Sequence, residues 1–194
     1  MTLRVLSLGA GVQSSTLLLM AVHGELQIDR AIFADTQDEP SATYAWLETL
    51  MPISERAGIP VDVVSAGNLG TAVLSGNGAA SLPAYTTSGG PLGRQCTRDF
   101  KVRPIRRHLQ KIRNGQPVTM VLGISLDEFQ RARTSDVKYI TNEYPLLTRR
   151  LTRVDCLRWL ADHNYPEPPK SACYFCPYRS DRGWRAMQTN DPAS

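Results

Sequence analysis

The sequence predicts an α/β protein, a parallel sheet with helices on both faces. Two observations predict it. Short apolar runs at 5–8, 31–34, 61–64 and 118–122 alternate with segments of helical periodicity, and strands separated by helices pair in parallel rather than as hairpins. Three of these runs end in small or polar residues: Gly9-Ala10-Gly11, Asp35-Thr36 and Gly123-Ile124-Ser125. In open α/β sheets the carboxyl ends of the strands form the edge where ligands bind.

Each element has its own local reason. Val5, Leu6 and Leu8 make a first strand, and Leu17, Leu18, Leu19, Met20 and Val22 a helix behind it that Gly24 stops. Ser14 and Ser15 are favoured helix caps, so strand, small-residue loop and helix N-terminus form a ready anion site. A plain strand-to-helix turn is the alternative. The second strand ends at Asp35, which either borders a ligand or caps the next helix. That helix spans 40–57 through Tyr44, Leu47, Leu50 and Met51, with Pro52 expected to kink or split it and Gly58 to stop it. Residues 66–95 are rich in glycine and small polar residues and read as a lid. A basic helix over 103–114 turns Ile105, Leu109 and Ile112 inward, and the fourth strand follows. A last helix over 149–163 has Thr152 as cap with Asp155 three residues on, and Val154, Leu157, Trp159 and Leu160 as its apolar set. Pro166, Pro168 and Pro169 end it. Two units are expected: a nucleotide-binding part, 1–148, and a small C-terminal cysteine-containing segment, 149–194.

The chain has 194 residues and a net charge of +4. Eight basic residues fall between Arg94 and Arg113 against Asp99 alone, a segment of +7. Such clustering points to an anionic partner, such as a nucleotide, a sulfate ester or a nucleic acid, or else to a solvated helix face. No apolar run approaches the ~18 residues of a membrane span, and the N-terminus lacks a signal-peptide pattern. The expectation is a cytoplasmic protein in which cysteines are ligands or thiols rather than disulfides.

Cys173-x-x-Cys176 puts two thiols on one tight turn, with Pro177 after the pair. With Cys96 and Cys156 they make four thiolates, which on count alone suit a 4Fe–4S cluster or a structural zinc. A redox dithiol is a third option, and unrelated buried thiols a fourth. Cys156 lies on the last helix, where packing alone would explain it.

The stretch Ser7-Leu8-Gly9-Ala10-Gly11-Val12-Gln13-Ser14 resembles the PP-loop, the Ser-Gly-Gly-x-Asp-Ser signature of ATP pyrophosphatases, in the variant found in relatives of phosphoadenylylsulfate (PAPS) reductase. Gln13 stands where the common form has Asp. The segment from Gln95 to Ile105 is similar to the Cys-Cys-x-x-x-Lys-Val-x-Pro-Leu segment of adenylylsulfate reductases, with one cysteine in place of two. Phe33-Ala34-Asp35-Thr36-Gln37 is similar to the family's Asp-Thr-Gly strand end, and Gly123-Ile124-Ser125-Leu126-Asp127-Glu128 to its Gly-x-Arg-x-x-Glu element. Gln37 replaces the Gly and Ser125 the Arg.

The resemblance implies a Rossmann-like, adenine nucleotide alpha-hydrolase-like sheet that binds ATP with Mg2+. It implies that Ser7, Gly9, Ala10, Gly11, Gln13, Ser14 and Ser15 cradle phosphate, and that Asp35, Thr36, Gly123 and Ile124 border the adenosine. Arg98, Lys101 and Arg103 would offset charge in the transition state. Cys96, Cys173 and Cys176, with Cys156 as the candidate fourth ligand, would hold a 4Fe–4S cluster or, alternatively, Zn2+. In the related tRNA-thiolating and DNA-phosphorothioating enzymes three cysteines leave one iron open. The expected activity is substrate adenylation with release of pyrophosphate, followed by sulfur transfer from a sulfur donor. The alternatives are a PAPS or adenylylsulfate reductase, disfavoured by the lack of a C-terminal catalytic cysteine, and a nucleotide- or nucleic-acid-binding module with structural zinc. The acceptor is left open among tRNA, DNA, a small metabolite and a sulfonucleotide, and a homodimer is compatible with the sequence.

Overall fold

The computed structural model describes residues 2–75, 87, 95–174 and 176–190. The chain runs β1 (Leu3–Leu8), α1 (Val12–Val22), β2 (Arg30–Asp35), α2 (Ser41–Arg56), β3 (Val61–Ser65) and α3 (Leu69–Leu74). Then come α4 (Gln95–Thr97), which runs into a π-helical turn (Arg98–Val102), α5 (Arg103–Ile112) and β4 (Val118–Leu122). A 3-10 turn (Leu126–Arg131), β5 (Ile140–Glu143), α6 (Pro145–Thr148), α7 (Arg153–Asp162) and α8 (Asp181–Asn190) complete it.

The five strands form one sheet in the order β3-β2-β1-β4-β5, and every pair is parallel. This is an α/β, Rossmann-like fold. Its strand sequence reverses direction between β1 and β4, the place where such sheets open a crevice. Successive side chains of a strand point to opposite faces, and the core divides accordingly. Leu6, Leu8, Ala31, Phe33 and Val121 face α1, α2 and α7. Val5, Ile32, Ala34, Val118, Met120 and Ile140 face Ile105 and Leu109 of α5. Burial on both faces explains why the strands read as continuous apolar runs rather than alternating ones.

Several expectations are corrected. α1 begins at Val12 with Gly11 as its cap, so Ser14 and Ser15 lie inside the first turn rather than before it. Pro52 is accommodated within α2, which runs on as helix to Arg56. The capping box of Thr152 and Asp155 forms, but Val154 is 62% exposed and Cys156 and Leu160 are the buried residues of α7. α7 packs on α1, so the C-terminal part of the chain shares the main core. Of the expected lid, 66–75 forms the approach to α3 and α3 itself, while 76–86 and 88–94, Arg94 included, lie outside the described residues. No described helix is long and apolar enough to cross a membrane.

Candidate functional site

The register of the sheet brings three turns to one rim. Leu8 pairs with Phe33 and Ser7 with Leu122, so Gly9, Asp35 and Gly123 leave neighbouring strands at nearly the same level. The closest approach is between Gly123 and α1. A Cβ on Gly123 would lie 2.9 Å from the Ser14 backbone nitrogen and 3.2 Å from the Gln13 carbonyl carbon. Only glycine lets the end of β4 pass this close to the first turn of the helix.

That first turn leaves the N–H groups of Val12, Gln13 and Ser14 without partners inside the helix, at its positive dipole end. The Ser14 hydroxyl closes the loop: it accepts from the Gly9 N–H at 3.1 Å and donates to the Gly11 carbonyl at 3.3 Å. Ala10 is buried and takes φ 54°, a left-handed conformation that in a non-glycine residue stores roughly 1–3 kcal/mol. Gln13 reaches across to the turns that follow β4, where its Nε2 donates to Ser125 Oγ and Glu128 Oε2, both at 3.3 Å. Ser15 is turned away from the loop. It is fully buried, and its hydroxyl accepts the Trp46 indole N–H at 2.9 Å.

Above the loop lies a cavity of about 560 Å³. Ser7, Gly9, Gly11, Gln13, Ser14 and Gly123 line it, together with Glu128, Arg131, Arg153 and Lys170. Ser171 covers the loop: its Oγ is 3.8 Å from where a Cβ would be on Gly9, and its Cβ is 3.3 Å from that position on Gly11.

Two residues expected to border the adenosine, Asp35 and Thr36, are hydrogen-bonded within the protein. Asp35 Oδ1 accepts from the Gln37 N–H at 2.8 Å and from the Tyr44 hydroxyl at 2.7 Å, which stiffens the turn into α2. Burial and that bond to Asp35 push the Tyr44 phenol well above its ordinary range. Thr36 is fully buried, and its hydroxyl lies 3.3 Å from Glu39 Oε1 and 3.5 Å from Cys173 Sγ. Ile124 continues the turn after β4 through a bond from its N–H to the Leu122 carbonyl.

Thr36 therefore belongs to a second cluster, beside the loop. Glu39 is 1% exposed, and its Oε1 accepts the Lys101 ammonium at 2.8 Å and lies 3.6 Å from Cys173 Sγ. Its Oε2 has no hydrogen-bond partner among the described residues. Burial works against the charge on Lys101, but Glu39 and the neighbouring Cys173 and Cys176 outweigh it and hold the amine above its ordinary pKa. Burial pushes the Cys173 thiol up to about 11, with Glu39 adding to the shift and Lys101 opposing it. The cysteine turn is anchored by the Tyr174 N–H on the Asp38 carbonyl at 2.9 Å. The nearly buried Arg179 donates to the Ala172 and Cys173 carbonyls at 2.9 and 3.3 Å.

Of the four candidate thiols, Cys156 is removed from the set. It is fully buried in the core between α1 and α7, so helix packing accounts for it. Cys96 lies one wide helical turn before Lys101, and the π-helical insertion between them brings positions five apart toward one side of the helix. Among the described residues no three His, Cys, Asp or Glu side chains are gathered so as to hold a metal ion. Only part of the expected donor set is brought together. Two thiols share one turn beside a lysine cation, and an adjacent buried carboxylate oxygen lacks a partner.

The expected catalytic cations are also redistributed. Arg98 and Arg103 are 58% and 61% exposed and both pair with Asp99, so they form a solvated face and do not line the cavity. Lys101 is held by Glu39. The cations that line the cavity are Arg131, Arg153 and Lys170, which sequence reasoning missed because they are scattered along the chain. Arg153 had one available signal: it directly follows the helix cap Thr152, and helix starts collect at this rim.

No protein-family model matches the sequence, and no curated protein does. Among solved structures, the fold is similar to that of the PAPS reductase from Candida auris in its phosphate complex. The TM-score is 0.62 at 12% identity, covering 90% of this chain and 82% of that one. It is also similar to the U34-tRNA thiolase NcsA from Methanococcus maripaludis with its [4Fe-4S] cluster. There the TM-score is 0.53 at 13% identity, covering 99% of this chain and 67% of that one. At these identities the likeness establishes the shared fold.

Proposed function

We propose that the protein is a PP-loop enzyme that uses ATP with Mg2+ to adenylate a substrate, releases pyrophosphate, and supports transfer of sulfur to the activated position. The observation that carries this reading is the contact of Gly123 with the first turn of α1. It sets unpaired amides, a glycine loop and a polar cavity at the point where the sheet reverses its order. A substrate oxygen attacks the α-phosphorus, and the bond from that phosphorus to the bridging oxygen of the β-phosphate breaks. Pyrophosphate leaves onto the amides of Val12, Gln13 and Ser14, which stabilise the charge it gains. A sulfur nucleophile then displaces AMP. In this reading residues 1–148 carry the nucleotide, and 149–194 supply the covering segment and the cysteine turn.

Cys96, Cys173 and Cys176 would hold the metal centre. A 4Fe–4S cluster held there would supply iron to bind sulfide, whereas zinc would be structural. Lys101 sets a positive charge beside the two cysteines of the turn, and Glu39 fixes the lysine. The fold shared with a cluster-bearing tRNA thiolase supports this assignment.

The test is product analysis on anaerobically purified protein supplied with Mg2+, ATP and bulk tRNA or DNA. Formation of AMP and pyrophosphate agrees with the proposal, and formation of ADP and phosphate contradicts it. A visible absorption band that weakens in Cys173→Ala identifies a cluster, and a colourless zinc-loaded protein contradicts one. The fold shared with a PAPS reductase supports a second reading, sulfonucleotide reduction. Release of sulfite from PAPS and a thiol reductant, without pyrophosphate from ATP, would select it.

A further inference from the structure

We propose that Glu39 is a metal ligand, and that it, rather than Cys156, is the fourth protein donor beside Cys96, Cys173 and Cys176. This rests on the metal-centre part of the reading above and goes beyond its three thiols. Four thiolates are what the cysteine count suggests, but Cys156 is fully buried in the core between α1 and α7. The side chain that stands beside the cysteine turn is a carboxylate. The turn docks on the stretch that carries it: the Tyr174 N–H donates to the Asp38 carbonyl at 2.9 Å, and the Tyr174 hydroxyl accepts the Ser41 N–H at 3.1 Å. Glu39 lies between those two anchor points, directly before Pro40, the cap of α2.

The two oxygens of this buried carboxylate are used unequally. Oε1 accepts from the Lys101 ammonium at 2.8 Å, the Thr36 hydroxyl at 3.3 Å and the Cys173 thiol at 3.6 Å. Oε2 has no partner among the described residues. A buried carboxylate oxygen left unpaired is costly, and an ion or a water is what such an atom ordinarily meets. The other buried side-chain atoms without a partner among the described residues are Thr43 Oγ1, on α2, and Nε of Arg179, whose other nitrogen holds the cysteine turn. All three orphaned atoms therefore belong to α2, to the residue before its cap, and to the clamp on the turn. The spacing also suits shared coordination. Cys173 Sγ and Glu39 Oε1 are 3.6 Å apart, and a thiolate sulfur and a carboxylate oxygen on one tetrahedral ion, bound at about 2.3 and 2.1 Å, stand roughly 3.5 Å apart. Lys101 and Thr36 fix the orientation of the carboxylate, as outer partners fix the ligands of metal sites. Cys173 and Glu39 are thus neighbours in advance, and the remaining thiols close on the ion as it binds. A hard carboxylate among soft thiolates is also the donor that an incoming sulfur ligand displaces first.

The experiment is anaerobic titration of the full-length, metal-free protein with Co2+ as the probe, read by ligand-field absorption and by competition with a chelator. The proteins compared are the wild type, Cys156→Val, Cys173→Ala and Glu39→Gln. Wild type and Cys156→Val bind Co2+ equally. Cys173→Ala and Glu39→Gln each lose about tenfold to a hundredfold in affinity, and Glu39→Gln shifts the ligand-field bands of the bound ion. If Glu39 only fixes Lys101, or if water satisfies Oε2, the donor atoms stay the same, so unmoved bands in Glu39→Gln overturn the inference. A Cys156→Val variant that loses as much affinity as Cys173→Ala overturns it too. Failure of the wild type to bind Co2+ overturns it together with the metal centre, while formation of AMP and pyrophosphate from ATP tests the nucleotide reading separately. Should Glu39→Gln fail to fold, Lys101→Met/Glu39→Gln, which removes the buried ion pair whole, decides by the same bands and affinities.

Discussion

Gln13 Nε2 donates to Ser125 Oγ at 3.3 Å, which ties the first turn of α1 to the turn that leaves β4. These are two of the positions at which the sequence departs from the motifs it resembles, Gln for Asp in the PP-loop and Ser for Arg in the Gly-x-Arg-x-x-Glu element of the reductases. The two departures meet in space: an amide–hydroxyl contact occupies the place where the pattern would put a carboxylate and a guanidinium. Ser125 is fully buried, so an Arg there would need a differently built neighbourhood.

Gln13→Ala therefore leaves the buried Ser125 hydroxyl without this contact and Glu128 without its neutral neighbour. The variant is expected to lose about 0.5–1.5 kcal/mol in urea unfolding, as for one hydrogen bond removed while Ser125 keeps its bond to Asp127. Unchanged stability would show that the contact is incidental.

The two glycines of the rim should respond in opposite ways to the same substitution. Gly123→Ala drives a methyl to within 2.9 Å of the Ser14 backbone nitrogen, where no flexible side chain can give way. It is expected to destabilise by about 1–3 kcal/mol and to displace the loop. Gly9→Ala meets its nearest atoms at 3.7 and 3.8 Å, which is ordinary contact, and should be tolerated. Equal urea midpoints for the two variants would contradict the close approach on which the cavity depends.

The Lys101–Glu39 pair gives a test of coupling. Lys101→Met leaves the carboxylate of Glu39, 1% exposed, without its cation, and losing one partner of such a pair costs about 3–5 kcal/mol. The double variant Lys101→Met/Glu39→Gln should recover much of that loss. A double variant no more stable than Lys101→Met would show that the pair is not the reason for the effect.

How far the sequence discloses the molecule depends on whether a feature is local. The strands and helices around the loop are legible because Val5, Leu6, Leu8 and the Leu17–Met20 run carry their own periodicity. β5 is not legible, since Ile140-Thr141-Asn142-Glu143 has one buried apolar residue and is strand only because β4 pairs with it. Charge along the chain also misleads. Arg98, Lys101 and Arg103 are clustered in sequence, but Asp99 neutralises two of them locally and Glu39, 62 residues away, takes the third. The cations that do face the cavity come from positions 131, 153 and 170, and only the fold makes them neighbours. The contact of Thr36 with Cys173 spans 137 residues and has no local signature at all.

Like Cys173, Cys156 offers a pH test in the alkaline range. Burial pushes its thiol from the ordinary 9.0 up to about 11. The unfolded chain then gives up this proton at lower pH than the folded one. The contribution to stability is full below about pH 9 and is lost as pH rises through about 11, a change on the order of 1–3 kcal/mol. Cys156→Val, which keeps an apolar side chain in the core, should remove part of the alkaline decline measured by denaturant unfolding and leave the part due to Cys173. An identical decline in the variant would mean that Cys156 is not the buried thiol described here.

The central claim is that the turns after β1 and β4 together form a nucleotide site. A crystal structure of the protein with Mg2+ and a non-hydrolysable ATP analogue tests it most directly. The account predicts phosphate density over the Gly9–Ser14 loop, within hydrogen-bond distance of the first-turn amides of α1. An analogue bound away from that rim, or a rim left without ligand at saturating concentration, would contradict it.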